Sequence, residues 1–190
     1  MMEFDNELEK CLQVLAAGGI ILYPTDTVWG LGCDATNEAA VNKLMELKGK
    51  PDQKGLIVIL GSERDVLQYV AAPDMEVFDF LEMQQKPTTV IYENGLGVAN
   101  PVLNADGSIA IRLIKDDFCR HLVKRFRKPV VSTSANFHGQ PAPTHFHQID
   151  AALVQAVDYT VKYRQNDTRS TQSSAIVKWH PGGKVTILRN

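Results

Sequence analysis

Cysteine is scarce in this chain of 190 residues: Cys11, Cys33 and Cys119 are three, an odd number, and no two stand in CxxC spacing. Neither a disulfide framework nor a zinc-thiolate site is expected, and reduced thiols fit a cytoplasmic protein. An excess of one charge is also lacking, since 20 Lys and Arg oppose 22 Asp and Glu for a net −2. A balanced chain has no global field for nucleic acid, so any basic site has to be local. Long apolar runs are missing too. None approaches the roughly 18 residues of a membrane span, and the acidic start MMEFDNELEK reverses the basic-then-apolar order of a signal peptide. The chain is expected to be soluble, with no membrane partner. No G-x-x-x-x-G-K-S/T occurs, which removes a P-loop kinase or ATPase. His138, His145, His147 and His180 have no acids or cysteines beside them in sequence, so no metal site is expected. With 44% hydrophobic residues, no repeat and no linker, residues 1–190 read as one domain.

What is present is concentrated between Gly19 and Leu60, which reads as strand, loop, helix, basic turn and strand. Ile20 to Tyr23 is a short apolar run stopped by Pro24, which withdraws the next ladder donor and suits a strand buried on both faces. Thr25, Asp26, Thr27, Gly30 and Gly32 follow as a loop with hydroxyls and little bulk, open to close approach by a ligand. A helix begins at a Thr36 or Asn37 cap, repeats its apolar side at Val41, Leu44 and Met45, and ends at Gly49 and Pro51. Lys48, Lys50 and Lys54 then gather before a second buried strand, Gly55 to Leu60. Such a cation cluster suits an anionic ligand.

The rest of the chain continues the α/β pattern. A first helix near Asp5 or Asn6 carries Leu8, Cys11, Leu12, Leu15 and Ala16 at helical spacing and closes at Gly18-Gly19. Ser62 with Asp65 resembles a capping box for a helix through Tyr69, and Pro73-Asp74 opens another with Met75, Phe78 and Leu81. Thr88 to Tyr92 and Ser108 to Leu113 read as strands, separated by an Asn94-Gly95 turn and an irregular segment. A helix spans Asp116 to Phe126, and Pro129 to Val131 is a strand running into STSAN. One more helix, about His147 to Val157, precedes strands at Asp158–Val161, Ser174–Lys178 and Val185–Leu188. The mixture predicts an α/β fold, one twisted mixed sheet flanked by helices.

Three motifs occur in order: YPTDTVWGLG, KGKP and, at 132–136, STSAN. Together they resemble the YrdC/Sua5/YciO family from about Ile20 to Arg189. That resemblance implies a basic concave pocket and threonylcarbamoyl-AMP synthase activity, a nucleotidyltransferase reaction in which L-threonine, bicarbonate and ATP with Mg²⁺ give threonylcarbamoyl-adenylate and pyrophosphate. A separate threonylcarbamoyl-transferase system then modifies an adenosine beside the tRNA anticodon. A carbamate oxygen attacks the α-phosphate, so positioning and charge stabilisation suffice without a Ser or Cys nucleophile.

Matched residue by residue, the resemblance implies substrate contacts from Thr25 and Thr27, catalytic cations at Lys48 and Lys50, and nucleotide contacts from Ser132, Ser134 and Asn136. Turn-capping threonines, helix-end lysines and an ordinary strand-to-loop turn are the structural alternatives. Lys50 stands where relatives carry arginine. Thr89 follows Pro87 in a segment that lacks the family's first proline and glycine. Arg112 matches an arginine facing the threonine carboxylate, a role its planar fork suits. Ser173 lies in a stretch whose family acid is Val177 here, and Arg189 matches a late arginine near the nucleotide. These departures keep open a YciO-type relative that binds nucleotide or double-stranded RNA with weak or no synthase activity. The basic run Lys124, Arg125, Arg127 and Lys128 has no interleaved aromatics, so contact with double-stranded RNA or tRNA would be to the backbone.

Overall fold

Alternation of apolar runs with 3.6-residue periodicity is realised in a computed structural model that describes residues 2–50, 52, 55–169 and 171–190. In chain order the elements are α1 (Asp5–Ala16), β1 (Ile21–Tyr23), β2 (Gly30–Gly32), α2 (Glu38–Leu47), β3 (Ile57–Leu60), α3 (Glu63–Val66), α4 (Glu76–Glu82) and β4 (Thr88–Tyr92). Then follow β5 (Ile109–Leu113), α5 (Asp117–Phe126), β6 (Val130–Val131), β7 (Thr133–Ser134), α6 (Ala151–Ala156), β8 (Tyr159–Thr160), β9 (Ala175–His180) and β10 (Lys184–Arg189). Among the described residues, no helix is long and apolar enough to cross a membrane.

The α/β class and the mixed, helix-flanked strands are as expected, but the strands form two sheets rather than one. The smaller has order β7-β2-β1-β8 and the larger β10-β9-β4-β5-β3-β6. Both are mixed: β1 runs antiparallel to β2 and parallel to β8, while β5 runs parallel to β3 and antiparallel to β4. Two strands of the smaller sheet, β2 and β7, fall where the sequence reads as loop. Gly32 explains one of them, because a Cβ there would stand 2.7 Å from Tyr23 Cε1 and 2.9 Å from the Val131 carbonyl. Its bareness lets strands pack rather than a ligand approach.

Side-chain alternation along β1 divides the core. Ile20 and Leu22 join the large cluster that includes Leu44, Val58, Val90 and Ile111, while Ile21 and Tyr23 join a second cluster under α1 and α5. There Phe4 meets Phe118 edge to face at 5.6 Å, and Phe118 stacks on Tyr163 at 5.9 Å. All three cysteines are buried and free.

Helix ends follow local chemistry. Asn37 caps α2, accepting from the Ala40 N–H at 3.2 Å. Gly49, at φ +73, closes it with Gly49 N–H donating to Glu46 O and Lys50 N–H to Met45 O, each at 2.9 Å. Two helices are shorter than expected. Ser62 caps only the four residues of α3, and Phe146–Gln148 form a separate 3₁₀ turn before Asp150 caps α6. The first helix starts at Asp5 with no side-chain cap.

Candidate functional site

The chain changes sheets at Ser132. Val130–Val131 pair with β3 in the larger sheet, Thr133–Ser134 pair with β2 in the smaller, and between them the Ser132 N–H donates to the Ile57 carbonyl at 2.8 Å. At this joint a cleft of ≈ 270 Å³ opens between the sheets, lined by Thr27, Gly30, Arg112, Ser132, Ser134, Ser173 and Arg189 among others. Residues far apart in sequence meet here because β5, β7, β10 and the β1–β2 loop all end at the joint. Two guanidinium groups and several hydroxyls face it, and among the described residues no carboxylate lines it.

Arg112 is the most constrained of these groups. It is only 4% exposed, and its Nε and one Nη find no hydrogen-bond partner among the described residues. Asp26 stands 3.4 Å from that Nη as an ion pair, with its own Oδ1 equally unpartnered. Burial raises the Asp26 carboxyl, and Arg112 acts against that shift. Opposite, Arg189 donates from Nε to the Ser174 carbonyl at 2.9 Å. Burial first, then the charge of Arg112, lowers its pKa, the signature of two cations facing a common space. Thr89 pairs with Arg112 across β4 and β5 and lies beneath the cleft, its hydroxyl 2.9 Å from that of Ser174.

Other expected residues have local duties. The Thr25 hydroxyl donates to Val28 O at 2.8 Å and accepts from the Thr27 N–H at 3.0 Å, with the Thr27 hydroxyl 2.9 Å away. Thr25 is thereby saturated and lines a small separate cavity beside Trp29, so the turn-capping alternative describes its geometry, while Thr27 reaches the cleft. Lys48 turns back from the end of α2 and donates from Nζ to Ser134 O at 2.5 Å and Asn136 O at 2.9 Å. Three donors and two protein acceptors leave one N–H without a partner among the described residues, and Lys48 itself lies outside the cleft lining. Burial, with the charge of Lys50 second, brings this ammonium down to about 8. Asn136 uses its amide N–H groups on Phe137 O and Gln140 O, leaving a buried, unpartnered Oδ1. Lys50 is half-buried and forms no ion pair among the described residues; Lys54 lies outside them.

Sequence reading passed over two contributors. Asp26 sits inside the PTDT motif yet was assigned nothing; its signal was an acid between two hydroxyl residues directly after an apolar strand. Ser174 joins Thr89 to Arg189, and its signal was the period of two that puts 174 and 176 on one face of the strand. The same period sends Val177 the other way, into the apolar core, so a missing acid there does not touch the cleft. Among the described residues no group of three or more His, Cys, Asp or Glu is placed to hold a metal ion.

The site is thus a cleft at the junction of two sheets in an α/β domain, lined by two arginines and, among the described residues, by no carboxylate. Comparison with known proteins gives that class a family. The model for Sua5, YciO and YrdC, described as "Telomere recombination", matches residues 13–190. Threonylcarbamoyl-AMP synthase of Stenotrophomonas maltophilia (strain K279a) is 33% identical over 154 residues, 80% of this chain and 83% of its own. Among solved structures, P. abyssi Sua5 complexed with L-threonine superposes with a TM-score of 0.79 at 20% identity, over 96% of this chain and 53% of that one. E. coli YciO superposes at 0.82 with 18% identity, over 97% and 89%. The chain spans about half the length of the P. abyssi protein. It belongs to the Sua5/YciO/YrdC family.

Proposed function

We propose that this chain is an L-threonylcarbamoyladenylate synthase, a nucleotidyltransferase that makes threonylcarbamoyl-AMP and pyrophosphate from L-threonine, bicarbonate and ATP. The observation that carries the reading is Arg112, a buried guanidinium on the cleft wall that makes no hydrogen bond through its Nε or one Nη, that Nη standing 3.4 Å from Asp26, in a lining without carboxylates among the described residues. A planar fork held with donors unpaired fits a carboxylate ligand, and the relatives named for this activity supply the substrate.

In this reading Arg112 takes the threonine carboxylate, with Asp26 behind it to fix the fork. Thr27, oriented by Thr25, bonds the threonine side chain or amine. The amine and bicarbonate condense to a carbamate. One of its oxygens forms a bond to the α-phosphorus of ATP as the bond between that phosphorus and the bridging oxygen to the β-phosphate breaks, and pyrophosphate leaves. No protein nucleophile takes part. Ser132, Ser134 and Ser173 hold the nucleotide from the cleft lining, and Asn136 sits beside them just outside it. Lys48, Lys50 and Arg189 balance charge on the phosphates, while Thr89 supports Arg189 through Ser174. Mg²⁺ enters bound to ATP: the cleft lining offers no carboxylate cage, and no step runs through a protein-held ion. The product is labile and passes to threonylcarbamoyl-transferase partners acting on tRNA, which makes the cytoplasm the working compartment.

Pyrophosphate release measured with each substrate omitted in turn tests the reading. Release is expected only when L-threonine, bicarbonate and ATP-Mg²⁺ are present together. Release that ignores omission of threonine would overturn it, and nucleotide binding without release would favour the YciO-type alternative.

A further inference from the structure

A second hollow is larger than the cleft between the sheets. It measures ≈ 620 Å³ and lies between α3 and α5, lined by Leu60, Gly61, Ser62, Asp65, Gln68 and Tyr69 on one side and Arg120, His121, Val123, Lys124, Arg127 and Lys128 on the other. No residue lines both. The two are joined by β3, whose Ile57 faces the cleft and whose Leu60 faces this groove, about 10 Å apart at the rise of a strand.

Charge in this groove is out of proportion to the chain. A protein of net charge −2 places four Lys or Arg around one hollow against a single carboxylate, Asp65. Asp65 itself accepts from the Ser62 hydroxyl at 2.8 Å. Lys128 is anchored to the buried Asp34 at 2.7 Å, and Arg120 reaches Asp117 only at 3.8 Å. Lys124 and Arg127 have no acidic partner among the described residues. The helix macrodipole accounts for cations in the last turn of α5, but not for Arg120 in its first turn nor for the concavity. An apolar floor from Leu60 and Val123, with Tyr69 at the side, completes a hollow of the size that small ligands occupy.

We propose that this groove is a second ligand site, taking a phosphate-bearing small molecule of mononucleotide size. Its phosphate would lie against Lys124, Arg127 and Arg120, and its apolar or aromatic part against Val123 and Tyr69. A continuous nucleic-acid backbone fits less well, because the opposite wall carries Asp65 and the cations line a hollow rather than a ridge. The inference stands on this groove alone and is independent of the synthase reading.

The test is an amide-resolved NMR titration of the full chain with AMP and, separately, with inorganic phosphate. Saturable shifts are expected at Gly61, Gln68, Lys124 and Arg127 with both, and about tenfold weaker for phosphate, which lacks the apolar part; shifts at Gly30 and Ser134 report the cleft separately. Replacing both cations, Lys124→Gln with Arg127→Gln, should weaken the groove response about tenfold or more while pyrophosphate release is unchanged. If the pair fails to fold, Lys124→Gln alone serves, with a smaller loss. Absence of saturable shifts with either anion, shifts that persist in the variant, or a groove that answers to duplex RNA but to neither small anion would each overturn the proposal.

Discussion

The cleft and the cluster under α1 and α5 lie on the same side of the chemistry of burial yet differ in how completely their polar groups are paired. Under α1 and α5, the Tyr23 hydroxyl donates to Val131 O at 3.4 Å, the Cys119 thiol to Pro24 O at 3.3 Å, and Arg125 bridges Asp5 and Glu9 at the rim. Around the cleft, Arg112, Asp26 and Asn136 hold four of the six buried side-chain atoms without a partner among the described residues. Native interiors pair such groups almost without exception, and beside the α1–α5 cluster the corresponding atom is Arg164 Nε alone, next to Tyr163, so the concentration around the cleft fits the ligand site proposed there. One region is closed by its own contacts, and in the proposed reading the other is completed by substrate.

The contrast is broken most severely at Phe118, which is 1% exposed between Phe4 and Tyr163. Phe118→Ala should cost about 3–5 kcal/mol of stability in urea denaturation, with ATP affinity unchanged at temperatures where the variant is folded. Loss of ATP affinity in the folded variant would mean that the two regions are not separable.

A smaller effect sharpens the cleft's side. Lys48 is held down to about 8 by burial, with Lys50 second, so its charge is present at pH 7 and is lost as the pH rises through that value. Wild-type ATP affinity should fall by about tenfold between pH 7 and 9.5, a charge-assisted contact's worth, and Lys48→Arg should flatten the profile. The sign for stability is opposite. Between about 8 and the ordinary 10.5 the native state holds fewer protons than the unfolded chain, so this group adds stability as the pH rises through that window. An ATP affinity flat across that range in the wild type would remove Lys48 from the phosphate side.

Much of this was legible in the residues. Strand β4 has the ends the sequence assigns, the Asn37 and Gly49 caps bound α2, and the apolar stripe of α1 buries Leu8, Cys11 and Leu15. These are local signals of period and cap. The division into two sheets was not legible, because β2 and β7 are short, glycine- or hydroxyl-rich strands held by pairing with each other and with β1, and nothing in three glycine-flanked residues announces that. The candidate site was legible as a set of residues but not as an arrangement. Thr25 and Thr27 look equivalent in sequence, and only the hydrogen bond from Thr25 to Val28 separates the capping hydroxyl from the one that faces the cleft. Asp26 was missed because its importance lies wholly in a partner 86 positions away, Arg112.

That partnership is also where the account is most exposed. Calorimetric titration of L-threonine into the wild type and into Arg112→Lys, which keeps a cation beside Asp26 but removes the planar fork, tests it directly. The account predicts binding to the wild type and a loss of about 1.5–3 kcal/mol in the variant, with the fold retained. Equal affinity in both would contradict it, since the Arg112 guanidinium would then not be what holds the substrate carboxylate.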